Sequence, residues 1–433
     1  MTRTARIRGA VLAAALAGLL AGAAHAATII HAGQLIDGVS PRASSNQTVV
    51  VDGGKIVAIE PGFRKPGPND VLIDLSDGTL LPGFMDAHVH LSSEQNRRTA
   101  LEGYTLNDVD RAIDAVVFAQ RTLLAGFTTV RDLGDGSGAV IALARAVNAG
   151  KVPGPRIIPA GKPIGSTGGH ADPTNGWSRA LEPVGDVEDA VVDSPDAARK
   201  AVRQRYKEGA QTIKIMASGG VLSLEPHGAA PQMTDAEIRA VVETARDYGF
   251  KVAAHAHGAE AIKRAVRGGV DSIEHGTYLD DEAIKLMKER GTFYVPTLSA
   301  AKWVHDKAQD PTFFPEVIRP KANEIGAQIQ KTFGKAWKAG LKVMFGTDTG
   351  VSAHGDNAGE FRLMVEGGMP PMAAIQAATS VPAKFLGIDD RTGSIAVGKL
   401  GELVGVHGDP LKDIGVLEHV VFVMKDDKVF KAP

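Results

Sequence analysis

The 433-residue chain contains no cysteine. That absence excludes a disulfide framework, and it excludes lipidation at the end of a cleaved leader. Positive charge is not in surplus either. Lysine and arginine total 48 against 50 aspartates and glutamates, a formal net charge of −2, so the basic footprint of a nucleic-acid binder is missing. No glycine-rich phosphate fingerprint opens a helix, which weighs against a dinucleotide-binding, doubly wound sheet. What remains is a globular composition with 44% hydrophobic residues, long enough for one large domain and a smaller one. Glycine (50) and proline (23) are spread along the chain and read as many turns, not as a disordered tract.

The first 26 residues read as a secretory signal peptide. Arg3, Arg6 and Arg8 form a basic start, Val11 to Ala24 is an apolar, Ala/Leu-rich run, and Ala24-His25-Ala26 fits a small-x-small cleavage site. The run is too short and too rich in small residues for a convincing membrane span; an uncleaved anchor is the alternative. The expectation is a periplasmic or secreted protein beginning near Ala27, with no stable membrane span once the leader is gone.

Short strand-like runs punctuated by Gly, Asp and Pro follow the leader, for example Thr48-Val49-Val50-Val51 and Lys55-Ile56-Val57-Ala58-Ile59. Similar runs return at the end, Glu402 to Val406 and Val420 to Met424. Residues 27–80 and 388–433 are therefore expected to form one small β-sandwich built from both chain ends. Residues 81–387 alternate strands and helices. Strands are expected near Phe84–Leu91, Thr128–Leu133, Arg156–Ala160, Thr212–Ala217, Lys251–His257, Ser272–His275, Thr292–Thr297 and Lys342–Asp348, with helices such as Leu106–Ala125 and Asp235–Tyr248 between them. Eight strands interleaved with helices suit an α/β fold of the (β/α)8 TIM-like barrel type. The polar, Gly-rich stretch Lys162 to Val191 is a lid, an interface element or an inert excursion.

Within that frame, six side chains carry chemistry. His88 and His90 close the run Leu81-Pro82-Gly83-Phe84-Met85-Asp86-Ala87-His88-Val89-His90-Leu91. At i and i+2 of a strand they share a face, and paired neutral imidazoles suit a divalent metal. Lys214 sits in an otherwise apolar strand, Gln211-Thr212-Ile213-Lys214-Ile215-Met216. Burial lowers a lysine pKa, and a neutral amine can add carbon dioxide to become a bidentate carbamate. The alternative is a strand-end lysine that snorkels to water. His255 and His275 each close a short apolar strand and are each followed closely by a glycine, 20 residues apart, one βα repeat. Asp348 ends the last expected strand, where it either ligates a metal or caps a turn. Taken together, His88, His90 and Asp348 would hold one ion and His255 and His275 a second, with carboxylated Lys214 and a hydroxide between them.

The segments PGFMDAHVHL, IKIMASGG, AHAHG, SIEHG and FGTDTG, in this order, resemble the binuclear-metal branch of the amidohydrolase superfamily over nearly the whole mature chain. They are most similar to metallo-dipeptidases cleaving Xaa-Pro or Xaa-Arg bonds and to ochratoxin-hydrolysing amidases. The resemblance implies a carboxylated Lys214 and substrate roles for Ser93 and His257, the latter otherwise a supporting or loop histidine. Ser92 is a further contact candidate, and His170, His227, His354 and Arg131 are weaker candidates for binding a carboxylate. Gly401-Glu402-Leu403-Val404 departs from the Ala-Asp-Leu-Val of many relatives, but within the β-sandwich. The expected reaction is hydrolysis of a dipeptide or N-acyl amino acid with a free carboxylate, ochratoxin A included. Asp348 would shuttle the proton, and two divalent ions, zinc by default, would serve as cofactors. The partner is a small-molecule substrate, and relatives often form homo-oligomers. The rivals are a lactam, imidazolone or phosphotriester hydrolase on the same scaffold, and a secreted binding protein that uses its metal structurally.

Overall fold

The described residues open on four strands, β1 (Thr28–Leu35), β2 (Ser44–Asp52), β3 (Lys55–Pro61) and β4 (Val71–Pro82). The barrel strands follow, β5 (Phe84–Val89), β6 (Phe127–Asp132), β7 (Arg156–Pro159), β8 (Ile213–Met216), β9 (Val252–Ala256), β10 (Ser272–His275) and β11 (Phe293–Val295), and the chain ends on β12 (Leu403–His407), β13 (Val420–Lys425) and β14 (Lys428–Lys431). The structure is a computed structural model that describes residues 26–178, 180, 190–225 and 227–433. All but the last residue of the expected leader, and residues 179 and 181–189 near the end of the Lys162–Val191 stretch, lie outside the described residues.

The two chain ends share one sheet, in the order β14-β13-β12-β4-β1-β2-β3. The sheet folds back on itself as a sandwich. Ile56 N donates to Lys399 O at 2.8 Å and Gly401 N to Gly54 O at 2.9 Å, bringing β3 against the segment before β12. Ile30, Val49, Ile56, Leu75, Leu403 and Phe422 fill the space enclosed, a core separate from that of the barrel. β4 pairs with β12 through Leu81 and Pro82, so the sheet takes up two residues that the sequence pattern assigned to the barrel. Gly83 makes the joint to β5: a Cβ there would lie 2.2 Å from Thr128 Oγ1. The divergent Glu402 is buried and bonds Arg156 of β7 at 2.8 Å, which ties sandwich to barrel.

The barrel strands are almost wholly buried, as parallel strands covered on both faces are. They form two arcs, β5-β6-β7 and β8-β9-β10-β11. Ile164 bridges the first gap, its N–H donating to Lys214 O and its carbonyl accepting from Met216 N, both at 2.9 Å. The second gap is closed by 342–348, expected from sequence as the eighth strand. This segment bonds β11 (Tyr294 N to Lys342 O, 2.8 Å) and β5 (Ala87 N to Phe345 O, 2.9 Å; Asp348 N to His88 O, 2.7 Å). It closes the barrel without being a regular strand. Gly346 is pressed so closely on Val295 and His88 that no Cβ fits, and Asp348 turns left-handed at φ 57°. Helices cover the outside. Asp235–Asp247 starts on a capping box, Thr234 with Glu237, and Pro195–Glu208 starts on the Ser194 cap. Among the described residues no helix is long and apolar enough to cross a membrane.

Candidate active site

All six expected ligand residues reach the C-terminal mouth of the barrel, where barrel enzymes build their sites. Asp348 Oδ1 lies 3.1 Å from His90 Nε2 and 3.4 Å from His88 Nε2. One ligand atom from each of these three residues falls within 4.8 Å of the others. Lys214 Nζ is 3.3 Å from His88 Nε2. The His275 ring centre stands 5.1 Å from that of His88 and 4.6 Å from that of His255. Backbone strain concentrates here. Of the five non-glycine residues at positive φ among those described, His275 (70°), Thr297 (52°) and Asp348 (57°) lie at the mouth. Such conformations persist only where the surroundings enforce them; here the chain turns at once after each strand and leaves the side chain aimed across the opening.

Each of the four imidazoles is held by one nitrogen, leaving the other for the site. His88 Nδ1 donates to Glu274 Oε2 at 2.9 Å, His90 Nδ1 to Gly134 O at 3.0 Å and His255 Nε2 to Gly219 O at 2.9 Å. His275 Nδ1 is 2.8 Å from Thr297 Oγ1. A carbonyl or carboxylate partner places the proton on the held nitrogen and the lone pair on the other, the arrangement metal-binding histidines use. Burial pushes His88 down to about 4, and pushes His255 and His275 well below the usual histidine range. Burial also pulls the Lys214 amine down to about 8. On Asp348, burial works upward but is outweighed by His88 and by the hydrogen bond from His90, leaving its carboxyl at about 2. Neutral imidazoles with held back nitrogens, an ionised carboxylate and a weakly basic amine fit divalent cations. On His90 burial again opposes charge, but Asp348 outweighs it and raises the pKa, so that pair draws a proton where a cation would sit.

Sequence pattern alone did not point to the layer beneath. Arg131, offered above as a carboxylate binder, is wholly buried. It donates to Ala87 O at 2.7 Å, Ser272 Oγ at 3.2 Å and Glu274 Oε1 at 2.9 Å, and does not face the cavity. Glu274 in turn holds His88. Asp132 accepts from Leu91 N and Gly134 N and so fixes the backbone around His90. Asp86 accepts from Asn357 at 2.8 Å and Thr347 Oγ1 at 2.6 Å, which pins the Asp348 segment to β5. The available signal was the one that singled out Lys214: a charged residue inside a short apolar strand.

Ser93, His170 and His257 line the cavity, of about 270 Å³, together with the six residues. His257 Nδ1 is 2.8 Å from Thr277 Oγ1, and His170 Nδ1 is 2.8 Å from Ser223 Oγ. Ser92 is buried outside the lining, His227 lines a neighbouring cavity, and His354 bonds the Ser93 carbonyl at 3.0 Å while stacked on Phe118.

Residues 79–431 match the model of the amidohydrolase family. The chain belongs to the amidohydrolase family. This amidohydrolase is 30% identical over 427 residues to ochratoxinase from Aspergillus niger, covering 94% of this chain and 87% of that one. The crystal structure of a Xaa-Pro dipeptidase with methionine bound in its active site is 50% identical, with a TM-score of 0.91 over 94% of this chain and 100% of that one. A prolidase complexed with N-methylphosphonate-L-proline is 34% identical, with a TM-score of 0.84 and the same coverage.

Proposed function

We propose that this amidohydrolase cleaves the amide bond of dipeptides or N-acyl amino acids that carry a free carboxylate, and that ochratoxin A, split to release phenylalanine, is within its range. The observation that carries this reading is the ionised Asp348 carboxylate, set between His88 and His90 at a mouth that also holds His255, His275 and the weakly basic Lys214. The dipeptidase, prolidase and ochratoxinase relatives support the substrate class. His88, His90 and Asp348 would hold one divalent ion, and His255 and His275 another, with carboxylated Lys214 between them; zinc is the default for these donors, and manganese or cobalt fit as well. Such ions supply an acidified water and polarise the scissile carbonyl.

The chain's own groups then divide the work. The Lys214 amine adds carbon dioxide, its nitrogen bonding the carbon and losing a proton, and becomes an anionic oxygen donor. Asp348 takes the proton of the attacking water and returns it to the departing amine. His257 presents its second nitrogen to the substrate carbonyl or carboxylate, and Ser93 contacts the substrate at the rim. Residues 81–387 form the catalytic unit, and 27–80 with 388–433 the sandwich that braces it. The leader exports the chain to the periplasm or beyond, where it works as a homo-oligomer.

The test is a mass-spectrometric screen of dipeptides, N-acyl amino acids and ochratoxin A with metal-reconstituted mature protein, run beside lactams, an imidazolone and an aryl phosphotriester. Amide cleavage with release of a free amino acid is expected. Turnover of the phosphotriester alone would overturn the reading.

A further inference from the structure

One wall of the cavity is built from different material than its floor. The helix Leu298–Ala308 starts directly after Thr297, its first two N–H groups held by Glu360 (Leu298 N at 2.9 Å, Ser299 N at 2.7 Å), and Arg319–Lys338 packs alongside it. Together with the loop after β8 and the turn after Asp348, these helices present Leu222, Ala300, Ala301, Val304, Ile329 and Val351 to the cavity. The wall is continuous with a small apolar core around Phe314 and Ile318, so it is backed by packed side chains and not by water. The two alanines leave room for a substituent from the substrate. Among the described lining residues, Lys214 and Asp348 are the only lysine, arginine or carboxylate side chains, and both belong to the floor. Two further charges, Lys321 and Glu324, line the adjoining cavity together with Val221 and Ile325 and are engaged. Lys321 Nζ donates to Gly220 O, Ser223 O and Glu225 O at 2.7–3.1 Å, and Glu324 accepts from Tyr278 at 2.6 Å.

From this we infer that the helical wall selects substrates with a bulky uncharged apolar group beside the scissile amide and rejects those that place Arg, Lys, Asp or Glu there. The inference rests on the amide-hydrolase reading and narrows it. An ionised side chain seated on the wall would lose its water and find no partner, which is costly. An apolar group gains from leaving water and fills space that the alanines leave. The free carboxylate of the substrate belongs on the polar part of the lining, which Ser93, His170 and His257 supply.

Two dipeptide series, Phe-Xaa and Xaa-Phe with Xaa as Leu, Met, Arg or Glu, test this with metal-loaded enzyme. In the series that seats Xaa on the wall, Arg and Glu are expected roughly 100-fold below Leu in kcat/KM. Rates for Arg or Glu within tenfold of Leu in both series would overturn the inference. Leu222→Glu and Val351→Glu, both at half-buried positions, place a carboxylate on the wall. Each is expected to raise the Arg-to-Leu ratio about tenfold, and failure of both to move it counts against the wall as the selector. If the wild type cleaves no peptide, the amide-hydrolase reading fails, and selection is then read from binding. Free Met, Leu and Phe should raise the thermal midpoint of the metal-loaded protein while Arg and Glu do not; equal shifts would overturn the wall's role.

Discussion

Lys214 is 2% exposed and lies within hydrogen-bonding distance of a histidine nitrogen. Burial costs a lysine cation there more than the nearby Glu274 and Asp348 carboxylates return, and its lowered pKa leaves a useful fraction of free amine near neutrality. Lys214→Ala should therefore lose both bound metal and turnover; elemental analysis finding two ions per chain in an active variant would remove Lys214 from the site. Glu274 acts one step back. It holds His88 with one oxygen and neutralises Arg131 with the other, and all three are buried. Glu274→Gln keeps the shape and removes the charge, leaving Arg131 as an unpaired buried cation. The expected loss is about 3–5 kcal/mol in urea unfolding, with metal affinity reduced about 10- to 100-fold because His88 is no longer held. Unchanged stability would mean that Arg131 does not depend on this carboxylate.

At the scale of elements, alternating and continuous apolar runs made the strands legible. β5, β6, β7 and β9 appear where the sequence places them, ending one or two residues short of the expected ends, and β10 matches its expected range. The eighth strand was legible as an apolar run ending in Asp348, but its irregular path was not. That path follows from contact with Val295 and His88, residues far away in sequence. The helix that carries the apolar wall depends on another remote group, Glu360. Burial raises this carboxyl to about 7, against the opposing pull of its bonds to Leu298 and Ser299. A folded-state pKa above the unfolded value means that the native state keeps the proton longer. Its contribution to stability is then full below about 4.5 and is lost as pH rises to about 7. Glu360→Gln should flatten that part of the pH–stability curve, measured by urea unfolding from pH 4.5 to 8; a variant curve parallel to wild type would show that Glu360 does not titrate there.

For the whole molecule, the barrel brings together groups from β5, β8, β9, β10 and the closing segment, while the sandwich ties both chain ends to it through Glu402 and Arg156. Ions held, as proposed, by ligands from five places in the chain would bind the folded state and not the unfolded one. At 100 times its Kd each such ion contributes about 2.7 kcal/mol. Chelation should lower the thermal midpoint and abolish turnover, and added zinc should restore both. A midpoint unmoved by chelation, in protein shown by elemental analysis to have lost its metal, would separate the ions from folding.

The order of motifs, the alternation of strand and helix, and the two histidines at i and i+2 were local properties. The sequence by itself therefore determined the fold class, the family resemblance and the six side chains that converge at the mouth. Which nitrogen of each histidine faces the site, that Arg131 lies under the floor and not on its surface, and that an apolar helical wall lines the same cavity as His257 depended on contacts between residues tens to hundreds of positions apart. Only the tertiary structure could decide these, because hydrogen-bond partners and desolvation are set by what the folded chain brings near, and sequence spacing carries no record of it.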